Sequence, residues 1–264
     1  MKQPIIVVQG SLNYDFVVKG ARLPHVGETV IGSESGTYSG GKGANQAVQL
    51  AKLGAEVYLI GRVGSDSMGD FLLSTLRGYG VHTDFIIQDD GATGIGCVQC
   101  DERGDQYILV VPNANGRCGS EDVQRAASAL DRADAVICQL ETTDEAMLAA
   151  AHAAKARDIP LILNPAPAHA VDREVFALAH TVTPNETEAA FYVGMKPEEL
   201  AAPEGRAEAA KRLRELGAGR VVITLGAQGS YYDDGAEQVF VPAFSIQPVD
   251  TTAAGDAFNG AYTY

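Results

Sequence analysis

Short apolar runs alternate with amphipathic stretches along the second half of the chain. The amphipathic stretches have helical spacing and cover residues 120–131, 144–156, 171–179 and 204–216. Each is followed by a short apolar run, ending near residues 140, 163, 183 and 225. Helices that alternate with short apolar strands are typical of a parallel sheet that is covered on both faces. The pattern therefore predicts an α/β fold.

The first half of the chain adds two segments of a different kind. The α/β alternation itself is continued at residues 4–10, 44–54, 57–61 and 69–78. Residues 14–39 and 93–112 instead contain short β-rich pieces that glycine and proline divide. We predict that these two insertions form a small separate sheet, a lid on one α/β domain that covers residues 1–264.

The charge balance is strongly acidic, with 34 acidic and 20 basic residues and a formal net charge of −14. A general nucleic-acid binder needs a basic face, so this class is disfavoured. Four cysteines are too few for a disulfide scaffold in a chain of 264 residues, which favours a reducing cytoplasm. The first apolar run is shorter than a secretory signal core, and no segment approaches the about 18 apolar residues of a membrane span. We therefore expect a cytoplasmic protein without nucleic-acid or membrane partners.

Candidate chemistry lies at the ends of the predicted strands. In open α/β sheets, ligands bind beyond the carboxyl ends of the strands. The residues at these ends are Asn13, Asp15, Gln139, Glu141, Asn164, Asn185, Glu188, Thr224 and Gly226. Any one of them is compatible with an ordinary turn or helix N-cap. Because they follow five strands in succession, a shared binding site is the better interpretation.

A glycine cluster at 40–43, with the sequence GGKG, opens the helix predicted over 44–54. Together with Gly36 it nearly matches the phosphate loop G-x-x-x-x-G-K-[ST], but Gly43 replaces the required hydroxyl residue. We therefore favour close approach of the backbone to a small ligand, with Lys42 and Asn45 hydrogen-bonding a polyol. No G-x-G-x-x-G follows the first strand, which argues against an NAD-dependent enzyme.

The most informative stretch is DTTAAGD at 250–256, which precedes a predicted helix. Small residues from Ala253 to Gly255 leave backbone N–H groups open at the helix N-terminus, and such a terminus binds anions. Asp256 lies one residue inside it. A carboxylate there can accept the proton of a hydroxyl that attacks phosphorus, or it can simply complement the helix dipole. The residues alone leave both roles open.

Seven motifs resemble those of one enzyme family and occur in its order along the chain. They are GSLNYD (10–15), GGKGANQAV (40–48), QLE (139–141), NPAPA (164–168), TPNETEA (183–189), ITLGAQG (223–229) and DTTAAGDAFNGA (250–261). On these residues the chain resembles the ribokinase branch of the PfkB family of carbohydrate kinases. The resemblance implies a Rossmann-like α/β/α sandwich with a small β-sheet lid that often mediates dimerisation. It also implies ATP-dependent phosphorylation of a sugar's primary hydroxyl, the 5-hydroxyl for D-ribose, with Mg²⁺ and activation by K⁺.

The resemblance assigns roles to individual positions. The expected sugar contacts are Asn13, Asp15, Gly41, Lys42, Asn45, Glu141 and Asp256. The expected general base is Asp256, beside an anion hole formed by Ala253, Ala254 and Gly255. The expected nucleotide contacts are Asn185, Thr224, Gly226 and Gly229. The expected cation residues are Glu188 for Mg²⁺, acting indirectly, and Asp250 and Thr252 for K⁺.

One departure from the family concerns the C-terminus. Family chains continue for some tens of residues beyond the AAGD motif, whereas this sequence ends at Tyr264. We expect the family's last segment, with part of the adenine pocket and further cation ligands, to be missing. Two alternatives stay open at this point: another sugar or nucleoside kinase of the family, such as one for fructose or deoxyribose, or a sugar-binding protein without catalysis.

Overall fold

The computed structural model describes residues 3–103, 105–247 and 251–264. The strands within these ranges are β1 (Ile5–Gln9), β2 (Asn13–Gly20), β3 (Glu34–Gly40), β4 (Glu56–Gly64), β5 (Ile86–Asp89), β6 (Gly94–Asp101), β7 (Gln106–Val111), β8 (Ala135–Cys138), β9 (Leu161–Leu163), β10 (Thr181–Val182), β11 (Arg220–Thr224), β12 (Gly229–Asp233) and β13 (Gln238–Pro242). The α-helices are α1 (Lys42–Leu53), α2 (Ser67–Gly78), α3 (Ser120–Arg125), α4 (Ala127–Leu130), α5 (Asp144–Ala156), α6 (Glu174–Leu178), α7 (Glu186–Val193), α8 (Pro203–Glu215) and α9 (Ala254–Thr263).

A nine-stranded sheet forms the centre, in the order β13-β12-β11-β10-β9-β8-β1-β4-β5. Its strands are parallel from β11 to β5, while β12 and β13 form an antiparallel hairpin on one edge. All five residues of β1 are buried, as expected for a central strand covered on both faces. Its side chains alternate between two apolar clusters: Val7 belongs to one, Ile6 and Val8 to the other. The predicted α/β/α sandwich is confirmed.

Helices on the two faces complete these clusters. Helix α1 contributes Ala44, Ala47 and Leu50 at helical spacing, packed together with residues of α2. It ends at Gly54, whose φ of 100° is the left-handed conformation that glycine adopts readily. The opposite face is covered mainly by α5, α6 and α8. Because the strands from β11 to β5 are parallel, their carboxyl ends lie along one edge of the central sheet, between the two helical layers.

The two β-rich insertions form one small sheet, as predicted, in the order β3-β2-β6-β7. We call this four-stranded sheet the lid sheet. Strands β2 and β6 are parallel, and Asn13 lies opposite Gly40 on one side and Gly94 on the other. The lid sheet therefore begins directly at the end of β1 and adjoins the carboxyl edge of the central sheet.

Two differences from the sequence prediction have clear causes. The helix predicted over 120–131 is divided into α3 and α4, because Ala126 between them has φ −87° and ψ 11°, outside the helical range. The hairpin β12–β13 was not predicted, although the Asp-Asp-Gly sequence at 233–235 is a turn signal between two β-branched and aromatic runs. Within the described ranges, no helix is long and apolar enough to cross a bilayer.

Candidate active site

A cleft of about 220 Å³ lies at the carboxyl edge of the central sheet. Its lining comes from the start of α1, the loops after β9 and β10, the first turn of α7, the end of β11, and the N-terminal part of α9 with the turn before it. The lining residues are Lys42, Asn164, Ala166, Thr183, Asn185, Glu188, Thr224, Thr251, Ala253, Ala254, Gly255, Asp256 and Asn259. Nine of the candidate residues named from the sequence lie among them. The structure thus brings together motifs that are more than 200 residues apart in the chain.

Asp256 is the buried acid of this cleft, with only 7% of its surface exposed. Asn45 Nδ2 donates to its Oδ2 at 3.0 Å, and Gln46 Nε2 donates to its Oδ1 at 3.0 Å. Burial raises the pKa of Asp256, while the Lys42 charge and the two amide hydrogen bonds oppose this rise. A carboxylate that is fixed in position and has an increased affinity for a proton is suited to act as a general base.

A chain of buried amides fixes the orientation of Asp256. Asn164 Nδ2 donates to the Thr183 carbonyl at 3.1 Å, so Asn164 presents its oxygen to Gln46, and the Gln46 amide must point its nitrogen towards Asn164 and Asp256. Gln46 Nε2 donates to Asn164 Oδ1 at 3.1 Å. Gln139 Nε2 donates to Gln46 Oε1 at 2.7 Å, which agrees with this orientation. Sequence reasoning missed Gln46, which is fully buried. The available signal was its position between Ala44 and Ala47 on the apolar face of α1, where an amide needs buried partners.

The predicted sugar residues surround the first turn of α1. Glu141 Oε2 accepts hydrogen bonds from the Ser11 hydroxyl at 2.6 Å and from the Lys42 backbone N–H at 3.1 Å. Asp15, half-buried on β2, lies beside Gly40 and Gly96, where a Cβ atom would overlap its carboxylate. Burial, assisted by the charge of Glu141, raises the pKa of Asp15 to about 6. Asp15 and Glu141 are not among the residues that line the cleft, whereas Lys42 is.

The glycine cluster has a packing role that the sequence did not reveal. Gly41 has φ 88°, and a Cβ there would lie 2.8 Å from Ser11 O and from Asn13 N. A Cβ on Gly43 would lie 2.6 Å from the carbonyl carbon of Gly10. These contacts mean that two of the glycines let the start of α1 pack on the loop after β1. Close approach to a ligand is therefore not needed to explain them.

The N-terminus of α9 contains the predicted anion hole. Ala253 is the N-cap residue with φ 58°, and the Ala254 N–H donates to Thr251 O at 3.1 Å. The Ala254 N–H is thus engaged in a turn. Within the described part of the chain no acceptor is found for the N–H groups of Gly255 and Asp256. A Cβ on Gly255 would meet no atom within 4 Å, so packing does not require a glycine there.

The N-x-x-E element is a capping box at the start of α7. Glu188 N donates to Asn185 Oδ1 at 2.8 Å, and Asn185 N donates to Glu188 Oε2 at 2.9 Å. Burial raises the pKa of Glu188, and the hydrogen bond from Asn185 opposes the rise. One carboxylate oxygen is held by the helix, which leaves Oε1 for the cleft.

The Glu188 carboxylate, with Asn185 beside it, is the kind of group that binds Mg²⁺ together with phosphates. The described residues contain no cluster of three or more His, Cys, Asp or Glu side chains. Mg²⁺ at phosphoryl-transfer sites typically uses one or two carboxylates together with waters and substrate phosphates, and Glu188 is a carboxylate that would fit this use. For the predicted K⁺ residues, Thr252 lies in the turn before α9, and Asp250 lies outside the described residues.

The predicted nucleotide residues are divided between the cleft and its rim. Thr224, at the end of β11, lines the cleft, and its N–H donates to Pro184 O at 2.9 Å. Gly226 and Gly229 lie at the two ends of the turn between β11 and β12 and do not line the cleft. Gly229 has φ 120°, and a Cβ there would overlap Val241 O on β13. The hairpin therefore requires this glycine whether or not a nucleotide binds.

Comparison with known proteins identifies the family of the chain. Residues 3–264 match the family described as pfkB family carbohydrate kinase. The chain belongs to this family. Membership in the pfkB family accounts for the joint presence of the lid sheet, the glycine-rich start of α1 and the acid at the start of α9.

Several characterised proteins are similar over nearly the whole chain. Ribokinase from Mus musculus is 39% identical over 263 residues, covering 98% of this chain and 80% of its own length. Ribokinase from Bacillus subtilis (strain 168) is 38% identical over 261 residues, covering 97% and 84%. The solved structure of Arabidopsis thaliana ribokinase complexed with ribose and ATP has a TM-score of 0.88 at 32% identity, covering 99% of this chain and 85% of that chain. As a member of this family, the chain is a phosphotransferase acting on a sugar hydroxyl.

Proposed function

We propose that this protein is an ATP-dependent ribokinase that transfers the γ-phosphate of ATP to the 5-hydroxyl of D-ribose. The observation that carries the proposal is the placement of Asp256. It is buried at the N-terminus of α9, it faces the cleft, and amides of the sugar-side helix α1 hold both of its oxygens. The similarity to ribokinases over 97–98% of the chain supports ribose and ATP as the substrates.

The sugar binds between the loop after β1 and the first turn of α1. Asn13, Asp15 and Glu141 hold its hydroxyls from one side, and Gly41, Lys42 and Asn45 hold them from the other. In the structure Asn45 donates to Asp256 Oδ2. The reactive sugar hydroxyl replaces or shares that hydrogen bond, so Oδ2 is the oxygen that takes its proton, while Gln46 keeps Oδ1 in place.

The phosphoryl group being transferred lies over the start of α9. The open N–H groups of Gly255 and Asp256, together with the helix dipole, stabilise its negative charge, and Ala253 and Ala254 shape the turn. Mg²⁺, when bound with ATP, neutralises phosphate charge. Glu188, whose Oε1 faces no partner in the capping box, would hold this ion indirectly, beside Asn185. Lys42 adds a positive charge on the sugar side of the cleft.

The nucleotide extends from Asn185 and Thr224 towards the turn that contains Gly226 and Gly229. Asp250 and Thr252 are the residues that would hold K⁺, which would supply positive charge near the site of phosphoryl transfer. A monovalent cation at this place would act on phosphoryl transfer more than on sugar binding.

The assembly we propose is a homodimer through the lid sheet, in the cytoplasm. Large apolar side chains on that sheet are open to solvent, including Phe16, Val18, Tyr107 and Leu109, which are 41–68% exposed. Exposed apolar surface of this kind is typical of a protein interface. All four cysteines are free, which fits a reducing compartment.

A coupled assay of ADP release tests the proposed function. We expect ATP-dependent turnover with ribose at the highest kcat/KM, compared with 2-deoxyribose, fructose and adenosine, and a rise in kcat when K⁺ replaces Na⁺. Mass and NMR analysis of the product locates the phosphate on the 5-oxygen. Sugar binding by calorimetry without ADP release from any sugar would instead support the non-catalytic alternative. A higher kcat/KM for another sugar would overturn the assignment to ribose.

A further inference from the structure

Asn115 is a buried amide that joins the lid sheet to the loop after β1. It lies in the short 3₁₀ turn Asn113–Arg117 that follows β7, and only 1% of its surface is exposed. Leu12 N donates to Asn115 Oδ1 at 2.9 Å, and Asn115 Nδ2 donates to Leu12 O at 3.0 Å. The same Nδ2 donates to Asn13 Oδ1 at 2.8 Å. The Asn115 side chain therefore accepts one hydrogen bond and donates two.

These hydrogen bonds fix the orientation of the Asn115 side-chain amide and, through it, that of the Asn13 amide. The Leu12 backbone N–H can only donate, so the atom of Asn115 facing it must be the oxygen. Asn115 then faces Asn13 with its nitrogen, which can also only donate. Asn13 must present its oxygen in return, and its Nδ2 is turned away. Among the described residues Nδ2 of Asn13 has no acceptor, and it is not an enclosed atom.

The amide pair packs closely against the backbone of the lid sheet. Gly94, the first residue of β6, lies against both side chains. A Cβ at Gly94 would be 2.6 Å from Asn13 Oδ1 and would overlap Asn115 Nδ2. A glycine here thus makes space for the contact between the two amides.

We propose that Asn115 is a positioning residue that sets Asn13 to offer a hydrogen-bond donor to a sugar hydroxyl. This inference rests on the proposed function, in which Asn13 contacts the sugar. Asp15 and Glu141, when ionised, can only accept hydrogen bonds from the sugar. Asn13 is the neutral group on the same side that donates. Asn115 therefore sets the hydrogen-bonding polarity of the sugar site without touching the sugar.

The substitution Asn115→Asp tests this polarity directly. Its carboxylate still accepts from Leu12 N, but its second oxygen faces Leu12 O and Asn13 Oδ1. The Asn13 amide relieves the repulsion by turning over, so that it presents oxygen to the sugar. We expect the ribose KM to rise roughly tenfold or more with kcat within about threefold of the wild type, because a donor to the substrate has been lost. Asn115→Ala leaves the Asn13 amide free to turn, so the rise in KM should be smaller.

The matched control is Asn113→Asp, the same change two residues away. Asn113 Nδ2 donates to Thr93 O at 2.9 Å, and among the described residues its side chain forms no hydrogen bond with Asn13. We expect its ribose KM to stay within about twofold of the wild type. Thermal unfolding of all variants identifies any loss of fold. If Asn115→Asp does not fold, Asn115→Ala is compared instead.

Two readouts separate positioning from mere stabilisation. In an Asn13→Ala background, Asn115→Asp should raise the ribose KM no further, because the group it turns is gone. With 2-deoxyribose and 3-deoxyribose, the effect of Asn115→Asp should vanish for the analogue that lacks the hydroxyl held by Asn13. The two single variants should show the same pattern across the analogues.

Two results would overturn the inference, and they are distinguishable. If Asn13→Ala raises the ribose KM and folded Asn115 variants do not, positioning by Asn115 is wrong and the proposed function stands. If Asn13→Ala itself leaves the KM unchanged, the sugar contact assigned to Asn13 is wrong and the inference falls with it.

Discussion

Replacing Asp15 with asparagine should stabilise the ligand-free protein while weakening sugar binding. The Asp15 carboxylate is half-buried beside Glu141, and among the described side chains none donates a hydrogen bond to it. Its pKa is therefore raised from 3.8 to about 6. Asparagine has the same shape and removes the charge that burial and Glu141 disfavour.

The size of the effect follows from the pKa. A rise of this size corresponds to about 3 kcal/mol between the charged and neutral forms. Contact of the carboxylate with water screens part of this, which leaves about 1–2 kcal/mol. For a chain of this length we expect the melting temperature of Asp15→Asn to be about 2–8 °C higher at pH 7.5. The matched control Asp90→Asn changes an exposed carboxylate and should stay within about ±0.5 kcal/mol.

The pH dependence has a definite sign. Because the folded pKa of Asp15 lies above the unfolded value, the folded protein binds the proton more tightly, and its stability falls as pH rises from about 4 to about 6. The advantage of Asp15→Asn should therefore be greatest above pH 6 and shrink towards pH 4. Differential scanning fluorimetry across this range measures it.

Sugar binding should respond in the opposite direction. An ionised Asp15 can accept hydrogen bonds from two sugar hydroxyls, whereas asparagine offers one acceptor. We expect the ribose KM of Asp15→Asn to rise at least about tenfold, and the wild-type KM to rise as pH falls below about 6. A ligand-free variant that is less stable than the wild type at pH 7.5, or a difference that does not change with pH, would refute the reasoning.

Two further predictions concern the cleft. Gly255→Ala places a methyl group where no protein atom lies within 4 Å, so the variant should fold normally; because the methyl group enters the anion hole, kcat should fall at least about 100-fold. The control Gly78→Ala changes an equally open helical glycine on α2 and should keep full activity. Equal turnover in both variants would contradict the anion-hole role. Gln46→Met removes a hydrogen bond that lowers the pKa of Asp256, so kcat should fall and the acid limb of the pH profile of kcat/KM should move to higher pH. The control Gln49→Met, on the same helix, should leave this profile unchanged. An unshifted profile in Gln46→Met would show that Gln46 does not help to hold the base.

The sequence allowed the fold to be predicted where periodicity is strong. Helix α5 was predicted with its observed bounds, because apolar spacing and the Thr143 N-cap agree. The edge hairpin β12–β13 was missed because it interrupts the helix–strand alternation that guided the prediction. Helix α7 was missed because its eight residues present no distinct apolar face, and its capping box was assigned only to cation and nucleotide binding.

Site residues were predictable from the sequence where they face a ligand. Asp256, Lys42 and Glu188 belong to motifs whose chemistry is visible in the residue types, and the structure brings them into one cleft. Gln46 and Asn115 act through other side chains, so their importance depends on contacts between residues about 100 to 210 positions apart. No local pattern carries that information for Gln46, and the Asn-Ala-Asn-Gly sequence at 113–116 is compatible both with a family element that tunes sugar choice and with an ordinary turn.

The central claim is that Asp256 removes the proton of the attacking sugar hydroxyl. Its most direct test is Asp256→Asn, with turnover from ADP release and ribose affinity from calorimetry on the same preparation. We expect kcat to fall by about 10²–10⁴-fold while the ribose dissociation constant stays within a few-fold of the wild type. Turnover close to that of the wild type, in a folded variant that binds ribose normally, would contradict the claim.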